Sequence, residues 1–240
     1  MKKILVVGAS GATGKLLVKD LLIRGAEVIA IVRSSSSLKH TFKSYPNYLE
    51  VSASITEMPE NELAAILVDC NVVLSCLGHN LDFRGMFGKP KRLVTDTIEK
   101  VSRVIELLRP DTRVRVILMN TTGNSNRDIP EKPPLSQRIV ISILRLILPP
   151  HVDNEQAGDF LRTYVGQRHS FIEWAAVRPD ALTDEIEVSK YEIHQSPTRN
   201  AIFDAGSTSR INVANFMANL ALDANLWGMW RGKMPVIYNV

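Results

Sequence analysis

Ile4-Leu5-Val6-Val7-Gly8-Ala9-Ser10-Gly11-Ala12-Thr13-Gly14 decides how the rest of the chain is read. Four apolar residues ended by glycine suit a parallel strand buried on both faces. Residues 15–24 then carry Leu16, Leu17, Leu21 and Leu22 at helical spacing, and Gly25 is a good stop. Between strand and helix stand three glycines. Gly8 allows a tight turn, Gly11 lets backbone approach a ligand, and Gly14 lets the helix pack close to the strand. The first helical turn offers N–H groups and about half a positive charge, a seat suited to a pyrophosphate. The spacing is GxxGxxG where the commonest dinucleotide fingerprint is GxGxxG.

The alternation continues outward from this turn. Strands are expected at 28–32, 48–51, 71–77, 114–119 and 171–177, with helices at 60–67, 93–108 and 156–165. In the helix at 93–108, Ile98, Val101, Val104, Ile105 and Leu108 share a face. The serines at 34–37 read as a loop within this rhythm. Such an order predicts an α/β fold of the Rossmann type, a doubly wound and mainly parallel sheet with helices on both faces. After Pro179 the rhythm changes: 180–212 is mixed and polar, 213–222 is helical, and 236–238 is a last strand. The chain is therefore expected to be one NAD(P)-binding domain over 1–240, with a C-terminal substrate or partner region of about 180–240 packed on it.

Bulk composition narrows the function. The 240 residues are 45% hydrophobic, an ordinary globular fraction. The formal charge is +4, and the basic residues do not cluster, which argues against nucleic acid. The two cysteines, Cys70 and Cys76, make no disulfide framework, and no Cys/His spacing suits a metal. No apolar run reaches the roughly 18 residues a membrane span needs. A cytoplasmic protein without a membrane span, monomeric or homodimeric, is expected.

The second strand ends at Val32-Arg33-Ser34, where NAD-preferring proteins place a carboxylate on the ribose 2′-hydroxyl. A guanidinium at that place suits a 2′-phosphate, so NADP is expected over NAD. Arg33 stacked on the adenine is the alternative.

These motifs, together with Val73-Leu74-Ser75-Cys76-Leu77-Gly78 and Val177-Arg178-Pro179-Asp180-Ala181-Leu182, resemble the atypical short-chain dehydrogenase/reductases. The resemblance is to the NAD(P)H-binding group that includes biliverdin reductase B-like flavin reductases and NmrA-like regulators. It implies Gly8, Ser10, Gly11, Ala12, Thr13 and Gly14 on the pyrophosphate, and Arg33 and Ser34 at the adenosine ribose. It further implies Ser54 at the adenine, Leu77 and Gly78 along ribose and phosphate, Thr121 and Thr122 at the nicotinamide, and Pro179 in the loop closing over it. Ser54 stands where an acidic residue is common in the family. The family's Tyr-x-x-x-Lys pair is missing. Asn154 aligns near the lysine, while Tyr164 and Arg168 lie too far along the helix. Tyrosine-based carbonyl reduction is therefore not expected.

Other groups could serve the chemistry: Thr121, Thr122 and His79 as catalytic candidates, with Asn120, His151 and Asp153 behind them. Asp153 also reads as the N-cap of the following helix. Two functions fit. One is an NADPH-dependent oxidoreductase giving hydride to a flavin, quinone or similar planar acceptor in an open, apolar pocket. The other is a catalytically silent NADP sensor acting on a protein partner. Residues 138–148 are apolar but for Arg138, Ser142 and Arg145, and prolines 133, 134, 149 and 150 bracket them. They predict one short separate helix beside the strand ends, walling the substrate pocket or buried in the core.

Overall fold

In a computed structural model, residues 2–33, 36–79, 88 and 90–240 are described. The apolar run of the sequence becomes the central strand β1 (Lys3–Val7), and the glycine turn leads into α1 (Ala12–Ile23). There follow β2 (Glu27–Val32), α2 (Ser36–Phe42), β3 (Tyr48–Ser52), α3 (Glu60–Leu67) and β4 (Val72–Ser75). The second half runs α4 (Leu93–Leu108), β5 (Val114–Met119), α5 (Leu135–Ile147), α6 (Pro149–Phe160) and β6 (Ile172–Pro179). The chain closes with β7 (Ala181–Thr183), β8 (Tyr191–His194), β9 (Ser207–Ser209), α7 (Arg210–Leu222), α8 (Ala224–Trp230) and β10 (Val236–Asn239).

Strand order is β3-β2-β1-β4-β5-β6-β10-β8, parallel from β3 through β10, with β8 antiparallel at the edge. The order reverses at β1, which places a crevice at the C-terminal ends of β1 and β4. Alternate residues of β1 serve opposite faces of the sheet. Ile4 and Val6 pack with α1 and α7, through Leu17, Leu21, Phe216 and Met217. Leu5 and Val7 pack with α3, α4 and α6, through Leu63, Ile98, Val101 and Ala157. A strand buried on both sides has no polar alternation, which is why the run reads as continuously apolar.

Several boundaries differ from expectation. The strand expected at 71–77 spans only Val72–Ser75, because the chain beyond it lies under the Gly8 turn. The serine run enters α2 at Ser36. The helix expected at 156–165 begins at Pro149 and ends in a π-helical turn, Leu161–Val165, before Gly166. Pro149 and Pro150 end one helix and also open the next, since the first turn of a helix needs no N–H from proline. Leu148 is at once the C-cap of α5 and the N-cap of α6. The helix expected at 138–148 starts at Leu135 and buries only Gln137 and Ile141, so apart from Ile141 its apolar residues are not core. Short β7, β8 and β9 and the seven-residue helix α8 carry too few residues to show a period, and were not foreseen.

Arg178, on β6, has no exposed surface. Its Nε donates to the Met234 carbonyl at 2.8 Å, and Nη1 to the Asn124 carbonyl at 2.8 Å. Both terminal nitrogens bind the Glu131 carboxylate, at 3.1 and 2.7 Å, and Nη2 also reaches the Gln195 carbonyl at 3.3 Å. One side chain thus ties β6 to three separate loops. Removing Glu131 would leave a buried cation unpaired. Glu131→Ala is expected to lower unfolding stability by about 3–5 kcal/mol, read from urea denaturation. A loss under about 1 kcal/mol would mean that the pair stabilises little.

Candidate functional site

The glycine turn is dictated by contact. Gly8 has φ +74°, and a Cβ there would lie 2.6 Å from the Cys76 carbonyl and the Leu77 nitrogen. A Cβ on Gly14 would lie 2.1 Å from the Gly8 carbonyl oxygen, so helix and strand approach only without one. Gly11 is exposed, donates its N–H to the Gly8 carbonyl at 3.0 Å, and is the N-cap of α1. No side chain caps that helix. Its N-terminus therefore faces the crevice with its positive dipole end uncovered.

A cavity of about 180 Å³ opens there. Gly8, Ser10, Gly11, Arg33, Ser54, Leu77 and Gly78 all line it, as their sequence positions imply. Ala12, Thr13 and Gly14 form the first turn of α1, with Thr13 and Gly14 buried. Ser34 lies outside the described residues. Ile31, Ala53, Ile55 and Leu93 complete an apolar wall. They were not singled out because nothing in sequence separates them from core residues.

Thr121, Thr122 and Pro179 stand farther along the same edge of the sheet. Thr122 is buried; its N–H donates to the Pro179 carbonyl at 3.1 Å and its hydroxyl to Asp180 at 3.0 Å. Burial raises the Asp180 carboxyl above its ordinary range, against the bonds from the Gly206 and Ala181 N–H groups and the Thr122 hydroxyl. The Thr121 hydroxyl accepts from the Gly123 N–H at 3.3 Å, closing the turn after β5. Asn120 braces this turn, accepting from the Thr121 N–H at 2.8 Å and donating to the Asn154 carbonyl at 3.0 Å.

Thr122 also lines a second cavity of about 390 Å³. Pro130, Pro133, Pro134 and Pro197 give it flat apolar walls, while Ser125, Lys132, Gln137, Thr198, Arg199 and Asn200 add polar groups. The expected pocket was apolar; this one is mixed, because the loop at 196–200 brings polar residues over the strand ends.

His79 goes elsewhere. Its Nε2 lies 2.7 Å from Asp153, and both side chains are buried. Asp153 is not the N-cap of the next helix, as its sequence position suggested. It sits inside α6 and accepts from the N–H groups of Val94 and Thr95, each at 2.9 Å, capping α4 from outside. Burial pushes this carboxyl up, but the bonds from His79, the Thr95 hydroxyl and the two N–H groups outweigh it and hold its pKa low.

His151, a further candidate from the sequence, is buried near the start of α6. Its ring lies beside Gly123, where an added Cβ would be 3.3 Å from Cε1. Among the described residues its Nε2 has no hydrogen-bond partner; it stands 3.7 Å from Glu155, whose carboxylate Arg145 holds through two 2.7 Å bonds. Cys70 and Cys76 are free and buried, and burial pushes each thiol up to about 12. Among the described residues no three His, Cys, Asp or Glu side chains gather as a metal-ligand set. No helix among them is long and apolar enough to cross a membrane.

Comparison with known proteins agrees with this geometry. A family profile described as NAD(P)H-binding matches residues 8–224. An uncharacterised chloroplast protein of Arabidopsis thaliana is 41% identical over 75 residues, 31% of this chain and 26% of the relative's length. The match therefore spans about a quarter of that relative. Among solved structures, a Bacillus halodurans protein titled as an NAD-dependent epimerase/dehydratase has a TM-score of 0.70 at 20% identity, covering 100% of this chain and 95% of its own. A Veillonella parvula short-chain dehydrogenase/reductase in complex with NADP has 0.69 at 15%, covering 99% and 94%. A Streptococcus pneumoniae protein described as an NADH-flavin reductase has 0.65 at 18%, covering 100% of both chains. At these identities the likeness shows a shared Rossmann-type fold.

Burial lowers the His151 pKa from its ordinary 6.5, with Arg145 acting in the same direction and Glu155 against both. The unfolded chain then binds a proton that the folded chain refuses. This part of the stability is intact above pH 6.5 and is lost as pH falls toward the folded value, with a slope up to about 1.4 kcal/mol per pH unit. Denaturation across pH 7.5 to 5 is expected to show that decline in the unmutated protein and a shallower one in His151→Gln. Identical profiles would show that His151 takes up its proton equally in both states.

Proposed function

This chain belongs to the NAD(P)H-binding family, and we propose that it is an NADPH-dependent oxidoreductase that gives hydride to a flavin, quinone or similar small planar acceptor. One observation carries the reading. The cavity at the glycine turn is edged by Arg33 in place of a carboxylate, and a cavity roughly twice its size lies along the same edge of the sheet.

The residues fit a dinucleotide. Bare backbone at Gly11 and the uncapped α1 N-terminus suit a pyrophosphate, and Arg33 suits a 2′-phosphate through a charge-assisted pair. Ser54 and the wall of Ile31, Ala53 and Ile55 suit an adenine, while Leu77 and Gly78, on the same cavity, suit a ribose. Such a cofactor, when bound, supplies the hydride. The protein's part is to orient it and hold the acceptor. Thr122, fixed by Asp180 and Pro179, is the one catalytic candidate that faces the larger cavity. The four prolines there suit a flat ring system, and the surrounding hydroxyl, amide and cationic groups suit its polar edge. A flavin-like acceptor can take its proton from solvent, so the missing tyrosine is no obstacle.

A silent NADP sensor acting on a protein partner would need no second cavity, so the 390 Å³ pocket favours the enzyme. Oxidation of NADPH followed at 340 nm with a panel of flavins and quinones tests the reading. Turnover with at least one acceptor is expected, and its absence across the panel would favour the sensor.

NADP(H) is expected to bind more tightly than NAD(H), and Arg33→Asp to weaken NADP(H) by about 1–3 kcal/mol in titration calorimetry. Equal affinities in the unmutated protein would remove the case for Arg33. Gly11→Val is expected to abolish binding of both cofactors with a largely unchanged circular dichroism spectrum, since a Cβ there meets the Gly8 carbonyl oxygen at 3.2 Å and the Cys76 carbonyl oxygen at 4.0 Å while the branched methyls enter the phosphate seat. A normal dissociation constant in that variant would move the phosphate site elsewhere.

A further inference from the structure

Helix α5 does what a helix of a soluble fold seldom does. Leu135, Ile139, Ile143, Leu146 and Ile147 follow one another at four- and three-residue steps along one face, and each is at least half exposed, Leu146 by 86%. The buried Gln137 and Ile141 lie on the opposite face and attach the helix to the body. The exposed face is contiguous, aliphatic and about three turns long. An uncovered stripe of this size marks a surface that meets something apolar.

Charge says what that something is. From Lys132 to Val152 the chain holds no Asp or Glu. Its cations are Lys132, Arg138 and Arg145. Arg145 is neutralised by Glu155, while Lys132 and Arg138 are exposed, and among the described residues no carboxylate pairs with either. A second copy docked face to face on the same helix would bring these cations together with no acid on the segment to answer them. An anionic lipid surface answers them directly. Aliphatic face, flanking cations and absence of acids are together the pattern of a helix lying in a bilayer interface.

We propose that α5 is a membrane-docking helix, seating the protein on anionic bilayers with the Leu135–Ile147 face among the acyl chains and Lys132 and Arg138 at the headgroups. The inference stands apart from the redox reading, because it concerns binding of lipid and not turnover. Where both hold, they meet at one place: Pro133, Pro134 and Gln137, at the start of α5, also wall the 390 Å³ cavity. A docked molecule then holds the mouth of its acceptor pocket near the level of the headgroups.

The test is co-sedimentation of the full chain with vesicles of phosphatidylcholine containing phosphatidylglycerol, against phosphatidylcholine alone. Binding to the anionic vesicles is expected, stronger than to the neutral ones by about tenfold or more and weakened by salt, since each cation near such a surface is worth about fivefold. The double variant Ile139→Glu, Leu146→Glu is expected to lose that binding while keeping its melting temperature and its NADPH affinity, because both side chains are exposed. No binding to anionic vesicles by the unmutated protein would overturn the proposal. So would a double variant that still binds them. A protein that sediments as a dimer, and as a monomer in the double variant, would assign the face to a second copy.

Discussion

The architecture of the side proposed to take the acceptor hangs on a single buried guanidinium. Arg178 projects from a strand in the middle of the sheet, where a cation without partners would be costly. Every nitrogen of its side chain donates, to one carboxylate and to carbonyls from three loops distant in sequence. Glu131 answers it and also takes the Asn126 N–H at 2.7 Å. The loops after β5, after β8 and before β10 thus converge because they share one charge centre. An apolar residue at 178 could fill the volume but could not hold three loop carbonyls in place. The 390 Å³ cavity lies among those loops, and Glu131 is part of its wall. Packing holds the Rossmann core together, while electrostatics shapes the region grafted onto its far end.

The cofactor half obeys another rule, steric exclusion. At Gly8 and Gly14 no Cβ fits, because backbone occupies the space. At Gly11 a Cβ would meet the Gly8 carbonyl oxygen at a tight 3.2 Å, and the position is exposed at the mouth of the crevice. Gly8 and Gly14 serve the fold, and Gly11 is the one that the proposed phosphate seat needs bare. Three identical letters in the motif therefore carry two kinds of constraint.

This explains what could be read without coordinates. The parallel core was legible because burial on both faces forces runs such as Ile4–Val7, and the glycine turn because few residues tolerate its contacts. The described residues assigned to the cofactor line one cavity or form the first turn of α1, except Thr121 and Pro179, which lie farther along the edge with Thr122. The acceptor side was opaque. Asp153 looked like a local helix cap but serves a helix 58 residues earlier, and His79, read as a strand-end candidate for catalysis, is its partner. Pro149 and Pro150 looked like a boundary because the rule for helix interiors was applied where the rule for first turns governs. Such long-range pairings have no period and no composition, so a linear reading has nothing to detect.

Asp153 has a consequence for the order in which the molecule can assemble. Arg92 offers α4 no side-chain cap, so the first N–H groups of that helix find their acceptor only on α6. As the chain leaves the ribosome, the start of α4 must wait, frayed, until β5 and α5 have also been synthesised. Loop closure over nearly sixty residues then completes a helix that by amphipathic pattern alone looks self-sufficient. The first turn of α4 is therefore tied to α6 across the whole segment from 92 to 153, a non-local contact of the kind that slows folding.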